Sequence, residues 1–428
     1  MAFHGGRQQD KWQDFGAGFT MGAAMLPALV LVPLMLGEVG MDFAGAYTAA
    51  VLSSLVGTLV MGWLHLPIAL IPSVAVGGYL VYLLGVSQGL SWQQLLGAGF
   101  AASILGVLLV LFPFGRRFKE AVPAVICQLM PGGIGVMLIT MGLIQARILI
   151  RSPWTLSMLG NFQDPMAYLG LMGILLMLVM LAMQIRGALL YGFVITAILS
   201  LTEGFWVIPE APFMLPEGLD KVVMQWTLVS GSEAEIIHMI VAVFTLLVVW
   251  GSMNWSCLRV LPAEVPNKGK ALPVIFAVGA AAAAGGSIPV SASPLSAVGR
   301  SCGGVAAGTA WGASLLFALA LFCEPIMRSM ADFPVMVVPV LVGAGFLLIQ
   351  QMLAGFGSKP IAWRLPELGA AMGVLLVMPL SGSMAAGLGS SLVGYCLLRS
   401  AAGEGKRIPV PTWGLAAVFV FYFVYAAI

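Results

Sequence analysis

The sequence has very little charge. Only 8% of its 428 residues are Asp, Glu, Lys or Arg, whereas 60% are hydrophobic and the mean hydropathy is +1.03. A soluble globular domain has about 25% charged residues, so this composition excludes a chain whose surface faces mainly water. The net charge is only +2 and no basic stripe carries interleaved aromatic residues, so nucleic acid is excluded as a partner.

Metal-ligating and catalytic patterns are also missing from the sequence. The three histidines have no metal-ligand spacing, and the five cysteines are scattered without a C-x-x-C pair. We therefore predict no metal site and no cofactor, and we interpret the cysteines as small buried residues. Because we find no nucleophile–base pair either, we expect the protein not to be an enzyme.

Long apolar stretches are what the sequence has in abundance. They recur from Phe15 to Ile428, and each is long enough to cross about 30 Å of hydrocarbon as a helix. The first stretch lacks an A-x-A-like cleavage site, so we interpret it as a retained helix. The hydropathy pattern predicts an all-α polytopic membrane protein with helices at 15–36, 45–64, 66–84, 92–114, 121–145, 166–184, 187–206, 236–256, 271–286, 290–302, 305–323, 333–354, 366–382 and 384–399.

The distribution of positive charge indicates an orientation for these fourteen segments. With the N-terminus in the cytoplasm, fourteen of the 19 lysines and arginines fall on the cytoplasmic side, four fall outside and Arg300 falls within the membrane. This bias is what the positive-inside rule requires of a protein in the inner (plasma) membrane. Whether 412–427 is an additional span is left open.

A polar, acidic connection at 207–235 divides the chain into two halves of seven segments. Because seven is odd, the second half must insert upside down relative to the first. The predicted organisation is a first inverted repeat at 1–206, an extracellular or periplasmic connection, a second repeat at 236–400 and a C-terminal segment at 401–428.

One motif occurs once in each half. Residues 67–78 (PIALIPSVAVGG) and 289–300 (PVSASPLSAVGR) share P-x4-P-x2-A-V-G. Two prolines five apart cannot share a regular helix, so we predict an extended stretch followed by a half-helix starting near Pro72 and Pro294. Paired breaks in inverted halves are typical of a transporter's binding site, with helix N–H groups aimed at the ligand. Two kinked packing helices without a ligand are the alternative.

These segments resemble the nucleobase–ascorbate transporter superfamily, and within it the azaguanine-type purine permeases for hypoxanthine, guanine and adenine. The stretches that carry the resemblance are AGFTMGAAMLPALVLVPLML (17–36), LPIALIPSVAVGGYLVY (66–82), RGALLYGFVITAIL (186–199) and SAVGRSCGG (296–304). The resemblance implies a 7+7 inverted-repeat fold. It implies a core domain at about 15–114 and 236–323 and a gate domain at about 121–206 and 333–400.

The sequence departs from this family at the positions that usually carry polar function. The acidic residue of the eighth helix is replaced by Asn254, the glutamate of the tenth segment by Leu295, and the Asn-type position of the third segment by Gly77. A symporter normally uses a buried carboxylate to bind or release its cation. The usual routes of purine recognition and proton coupling are therefore in question.

The candidate substrate-binding residues follow from the motif and from the resemblance. Arg300 beside two half-helix starts would attract an anion, or it would snorkel to the cytoplasmic surface. Serine hydroxyls and the Asn254 amide would contact a ligand, or they would pack and bond neighbouring helices. The candidates are Thr20, Ser73, Val74, Gly77, Ser252, Asn254, Ser293, Leu295, Ser296 and Arg300.

The sequence thus predicts a secondary-active or facilitative transporter of a small polar solute, with a purine-like nucleobase as the substrate that the resemblance implies. One alternative is a transporter of a small anion such as sulfate, bicarbonate or an organic anion, held by Arg300 and the half-helix starts. Another is a degenerate paralogue that does not transport. The coupling ion is left open, and so is a homodimer, which relatives often form.

Overall fold

The protein is mostly helical, and its computed structural model describes residues 11–112, 121–150, 152, 154–155, 157–185, 187–228, 233–259, 261, 265–358 and 363–426. The α-helices are α1 Lys11–Ala23, α2 Leu26–Gly37, α3 Phe43–Trp63, α4 Val74–Gly78, α5 Trp92–Leu111, α6 Ala124–Gln145, α7 Pro165–Ala182, α8 Ala188–Thr202, α9 Glu233–Arg259, α10 Lys268–Ala284, α11 Ser296–Ser301, α12 Ala307–Ala320, α13 Glu324–Asp332, α14 Val338–Ser358, α15 Leu365–Met372, α16 Met378–Ser381, α17 Met384–Ala401 and α18 Val410–Ala426. Wider π-helical turns extend α4 over Tyr79–Ser87 and join α15 to α16 over Gly373–Val377. The strands are β1 Leu70–Pro72, β2 Leu149–Ile150, β3 Met158–Leu159 and β4 Val290–Ala292.

Length and hydropathy identify the helices that can cross a membrane. Among the described residues there are six, at Lys11–Gly37, Phe43–Trp63, Trp92–Leu111, Ala124–Gln145, Pro165–Ala182 and Pro334–Phe356. The pair Ala307–Ala320 and Glu324–Met330, bent by 89° at its break, is a seventh if it counts as one span. The chain is therefore a multi-pass membrane protein. The expected fourteen crossings stay a prediction.

Strands β1 and β4 form a buried antiparallel pair inside the helical bundle. Leu70 lies opposite Ala292, and all six strand residues are buried. Helix α3 packs on β1, while α9 and α10 pack on β4. The short helices α4 and α11 begin two residues after Pro72 and Pro294, respectively. Both motif segments thus have the predicted extended stretch followed by a short helix.

The helices around the strand pair fall into two groups by their contacts. In the first group, α1 and α3 pack against α12, while α9 and α10 pack against α5. In the second, α6 packs against α14, with α7 and α8 beside α14 and with α15 and α17 beside α6. Glycines allow close approach in the first group, since a Cβ on Gly312 would lie 2.1 Å from the carbonyl oxygen of Phe15.

The acidic connection packs on the helix ends of the first group. Val222 is buried, the N–H of Met224 donates to the carbonyl of Ala284 at 2.8 Å, and Thr227 N–H donates to Gln93 O at 3.0 Å. The bond from Met224 gives a partner to a carbonyl in the last turn of α10, which has none within the helix. The described part of this connection is therefore integral to the fold.

Two helical features differ from the sequence prediction. The first helix begins at Lys11 and is interrupted at Ala24–Met25. Helix α13 was not predicted, because its nine residues (EPIMRSMAD) alternate polar and apolar side chains and form no apolar run. Some predictions fall outside the described residues, namely 113–114, 427 and the charges of Arg7, Arg116, Arg117, Lys119, Arg151, Arg186 and Lys359.

Candidate functional site

The outer edges of the β1–β4 pair are held by side chains from neighbouring helices. Thr58 in α3 accepts the N–H of Leu70 at 3.0 Å and donates its hydroxyl to the Leu70 carbonyl at 3.3 Å. On the opposite edge, Oδ1 of Asn254 in α9 accepts the N–H of Ala292 at 2.7 Å. Lipid offers no hydrogen bonds, so backbone of this kind persists only where protein groups satisfy it.

Asn254 bonds backbone groups through both the oxygen and the nitrogen of its amide. Besides the bond to Ala292, its Nδ2 donates to the carbonyl of Trp250 one turn earlier at 2.8 Å. Its side chain is completely buried. Asn254 thus positions β4 relative to α9, so it shapes the site through the strand.

Two serines at the start of α11 accept hydrogen bonds from backbone N–H groups. Oγ of Ser293 accepts the N–H of Leu295 at 3.2 Å, and Oγ of Ser296 accepts the N–H of Ala69 at 3.2 Å. The N–H of Ser296 donates to the Ser293 carbonyl at 3.0 Å, and that of Ala297 donates to Pro294 at 3.1 Å. The expectation of free N–H groups at this half-helix start is therefore wrong, because the 293–295 turn uses them itself.

Two cavities flank the Ser293–Pro294 corner. The larger encloses about 580 Å³, counted with its open mouth, and its lining is mainly apolar. Its walls include the β1–α4 corner at Ser73 and Val74, and three thioethers from different helices, those of Met137 (α6), Met253 (α9) and Met384 (α17). A methionine-lined space adapts its shape easily and makes favourable contacts with aromatic rings.

The smaller cavity is the more polar of the two. It encloses about 350 Å³ by the same measure, and it is lined by Arg300 and Ser296 of α11, Cys257 of α9 and Gln351 of α14, among others. Ile134, Ser293 and Pro294 line both cavities. The two spaces therefore meet at one corner of the chain.

The cavities are displaced from each other along α14. Leu341 lines the larger cavity, while Leu348 and Gln351 line the smaller one. Ten residues of α-helix separate Leu341 from Gln351, a rise of about 15 Å. The arrangement is that of two adjoining chambers along α14, which share a wall at Ser293–Pro294.

Arg300 is the one charged residue among those that line the two cavities. The ion pairs found between described residues join Arg147 to Asp164, and join Glu404 to Arg364, Arg399 and Arg407. Within the described chain, Arg300 thus has no carboxylate at ion-pair distance. The cavity keeps a net positive character.

Asp14 lies within the first membrane helix, although the sequence analysis placed the start of that helix at residue 15. Because α1 starts at Lys11, Asp14 belongs to its first turn and is only 6% exposed. Its Oδ1 accepts the N–H of Val305 at 2.9 Å, just before α12. A carboxylate there also suits the helix dipole, so Asp14 ties α1 to the start of α12.

Comparison with known proteins places this geometry in context. No protein-family model matches the chain. Over 416 residues it is 27% identical to the guanine/hypoxanthine permease PbuO of Bacillus subtilis, covering 92% of this chain and 93% of that protein. Over 419 residues it is 26% identical to the adenine permease AdeP of Escherichia coli, covering 96% and 92%. The chain is a divergent relative of these nucleobase permeases.

The fold of this chain is also similar to that of a solved structure. The transmembrane domain of a cyanobacterium bicarbonate transporter, BicA, aligns with a TM-score of 0.59 at 15% identity, over 90% of this chain and 98% of that domain. At this identity the likeness concerns the fold alone. The predicted resemblance to purine permeases is confirmed by the curated relatives, which are named as permeases and not as enzymes.

Six of the ten candidate residues line a cavity. Ser73, Val74 and Leu295 line the larger one, Ser296 and Arg300 line the smaller one, and Ser293 lines both. The motif segments thus contribute to both chambers. Their roles towards a ligand stay predictions.

The other four candidates lie away from the cavity linings. The hydroxyl of Thr20 donates to the Gly16 carbonyl at 3.1 Å, and that of buried Ser252 donates to Val249 at 2.9 Å. Gly77 is buried, and a Cβ there would lie 3.3 Å from Cδ1 of Ile288, closer than an ordinary van der Waals contact. Asn254 is engaged by β4 as described above. In this conformation all four serve the helix packing and the strand pair.

The site also contains residues that the sequence analysis did not select. Cys257 and Gln351 line the smaller cavity, and the three methionines line the larger one. Gln351 carries a usable signal, because an amide in an apolar membrane helix is costly unless it faces protein or a cavity. Cysteine and methionine carry no comparable signal in so apolar a chain.

The position of Cys257 makes a labelling prediction. A variant whose only cysteine is Cys257 is expected to react with a small maleimide about tenfold or more faster than a variant that retains only Cys396, because exposure of the thiol limits the reaction. Cys396 is only 1% exposed, whereas Cys257 lines the smaller cavity. Labelling rates measured by mass spectrometry test this, and equal rates would show that the Cys257 thiol is not accessible from the cavity.

Proposed function

We propose that this chain is a transporter that carries a purine-like nucleobase across the inner (plasma) membrane, by secondary-active or facilitative transport. The observation that carries the proposal is its similarity, over nearly its whole length, to guanine/hypoxanthine and adenine permeases. The two chambers at the crossing of the proline-broken segments give such a solute a place to bind.

The chemistry of the chambers suits a flat heteroaromatic ring. The thioethers of Met137, Met253 and Met384 offer polarisable contacts to ring faces and edges. The smaller chamber adds the hydroxyl and guanidinium donors of Ser296 and Arg300 for polar edge atoms. An apolar chamber next to a few polar groups is the usual composition of a small-molecule site.

We further propose that residues 1–206 and 236–400 are inverted repeats of seven spans each. The strand register supports this, because Leu70 and Ala292 occupy the same place in their motifs, three residues after Pro67 and Pro289, and lie directly opposite each other. When two repeats are related by a twofold axis, equivalent residues lie directly opposite each other only where the chain crosses that axis.

The helix contacts support the same relation. If each helix is replaced by its equivalent in the other repeat, the contact between α1 and α12 becomes the contact between α9 and α5. In the same way, the contact between α3 and α12 becomes the contact between α10 and α5. The contact between α6 and α14 is exchanged with itself. We therefore assign the strand pair and the first group of helices to a core domain at about 15–114 and 236–323, and the second group to a gate domain at about 121–206 and 333–400.

Transport would then follow from relative movement of core and gate. Both chambers have core walls at the Ser293–Pro294 corner and α9, and gate walls at α6 and α14. A shift of the core along the gate would carry the Ser293–Pro294 corner from one membrane face towards the other. The charge bias of the sequence supports a cytoplasmic N-terminus.

A small-anion transporter is a second candidate function, favoured by one observation. Arg300 lines a chamber without an ion-pair partner among the described residues, and a site of that kind attracts anions. A third candidate is a degenerate paralogue that binds without transporting.

Binding and uptake by purified protein distinguish these candidates. Stabilisation against heat by hypoxanthine, guanine or adenine, with uptake into proteoliposomes, is the expected result. Stabilisation by sulfate or bicarbonate but not by a purine would favour the anion carrier. Purine binding with no uptake would identify a degenerate paralogue.

A substitution in the larger chamber tests the location of the site. Ser73→Leu is expected to weaken purine binding at least about tenfold, because the added atoms occupy the chamber and a hydroxyl is lost. Ser87→Leu is the matched control, since Ser87 is exposed at the far end of the same segment. Titration of the thermal shift with hypoxanthine measures both, and equal affinities would place the base elsewhere.

A further inference from the structure

The polar lining of the smaller chamber consists mainly of hydrogen-bond donors. The guanidinium of Arg300 has five N–H donors and no acceptor. Ser293 and Ser296 each already accept a backbone N–H, from Leu295 and Ala69 respectively. Their O–H groups are thereby left to act as donors. Gln351 adds both a donor and an acceptor to this lining. Donors still outnumber acceptors, so a ligand rich in acceptors complements the lining best.

Among the described residues, no side chain that lines this chamber carries a compensating negative charge. None of the residues that line it is an aspartate or glutamate, and within the described chain Arg300 joins no ion pair. Cys257 is the other titratable side chain in the lining. A guanidinium at membrane depth is costly unless it is paired, so a bound anion would stabilise this arrangement.

We propose that Arg300 selects the anionic form of an oxopurine. This inference rests on the proposed function, and it names the substrate class. The deprotonated, oxygen-bearing edge of the base is held by Arg300 with the hydroxyls of Ser293 and Ser296. The ring lies across the Ser293–Pro294 corner against Met253 of the larger chamber. Aminopurines such as adenine, which stay neutral and lack an exocyclic oxygen, are disfavoured.

Xanthine is the appropriate probe, because it passes from neutral molecule to monoanion at mildly alkaline pH. Its Kd for the purified full-length protein is measured by calorimetry across that range, with hypoxanthine, which remains neutral there, as the reference ligand. The measurement uses a Cys257→Ser variant, because this removes the thiol from the chamber and makes xanthine the group that titrates there. The expected result is that the ratio of the xanthine Kd to the hypoxanthine Kd falls by about tenfold to a hundredfold as the anion forms, the effect of a hydrogen bond to a charged group.

Two variants test whether Arg300 causes this preference. Arg300→Gln is expected to remove the pH dependence of the Kd ratio, whereas Arg300→Lys, which keeps the charge but loses the planar fork, retains part of it. Arg328→Gln is the matched control, because Arg328 lies over the ring of Phe43 and outside the cavity linings. If Arg300→Gln does not fold, the wild-type pH profile and Arg300→Lys carry the test.

The outcomes separate this inference from the proposed function. A Kd ratio that does not change with pH, or one that changes equally in Arg300→Gln, overturns the role of Arg300 and leaves purine transport standing. Competition by sulfate or bicarbonate at millimolar concentration also overturns it, because Arg300 would then serve small anions. If no purine binds the wild-type protein at any pH, the proposed function fails as well.

Discussion

Asn254→Leu is expected to destabilise the protein by about 1–3 kcal/mol and to abolish most of its purine-induced stabilisation. The variant removes the acceptor for the N–H of Ala292 and leaves that group buried without a partner. It also frees the carbonyl of Trp250 from its side-chain bond. Because β4 leads directly into the Ser293–Pro294 corner, a displaced strand moves the walls of both chambers.

Thermal unfolding of the purified protein, with and without hypoxanthine, measures both effects. Asn161→Leu is the matched control, since Asn161 is an exposed asparagine that accepts the N–H of Gln163 at 3.0 Å outside the strand pair. Thr58→Val removes the corresponding bonds on the β1 edge, whereas Thr58→Ser keeps the hydroxyl. If Asn254→Leu unfolds and binds like wild type, the strand pair does not depend on this amide.

Hydropathy alone was enough to locate most of the helices. For example, the predicted helix at 45–64 is observed at Phe43–Trp63, and that at 384–399 is observed at Met384–Ala401. These segments are apolar around their whole circumference, so their limits coincide with the limits of the apolar run. The two broken segments were equally predictable, because each contains two prolines five residues apart, which cannot share one regular helix.

Structural features that depend on contacts between residues distant in the sequence could not be predicted from hydrophobic periodicity. Helix α13 is short and amphipathic, and Trp206 from the connection after α8 donates to Ser329 at 3.1 Å within it. The role of Asn254 depends on Ala292, 38 residues away. Sequence analysis selected Asn254 as the counterpart of the family's acidic residue, but the direction of its amide follows from the position of β4.

The same limit explains which half of the site was found. The motif segments form one wall of each chamber, and their prolines and serines mark them in the sequence. The opposite walls come from α6 and α14, where Ile134, Leu348 and similar residues look like any other membrane-helix residues. A cavity is defined by the space between two surfaces, so a pattern on one surface predicts only half of its lining.

Gly345→Val is expected to destabilise the protein strongly and to abolish uptake. A Cβ on Gly345 would lie 2.5 Å from the carbonyl oxygen of Gly135, and one on Gly135 would lie 2.6 Å from the carbonyl of Gly345. The two helices α6 and α14 therefore touch backbone to backbone at this level, as small residues permit in membrane bundles. Neither carbonyl can move without shifting its helix.

The size of the effect follows from this rigidity. Overpacking a tight interface costs about 1–3 kcal/mol, and occasionally more where backbone has to shift, so Gly345→Ala is expected to unfold at lower temperature and Gly345→Val at a lower temperature still. Separation of α6 from α14 would also displace Ile134 and Leu348, which line the chambers. Thermal unfolding monitored by tryptophan fluorescence, followed by hypoxanthine uptake into proteoliposomes, measures both consequences.

Gly355 provides the matched control within the same helix. A Cβ at this position meets no atom within 4 Å, so Gly355→Ala is expected to unfold at or slightly above the wild-type temperature, since alanine favours helix over glycine by about 1 kcal/mol. A Gly345→Ala variant as stable as Gly355→Ala would mean that α6 and α14 are not in backbone contact. Loss of uptake in Gly345→Val with unchanged stability would instead point to a contact that restrains the movement of the gate helices.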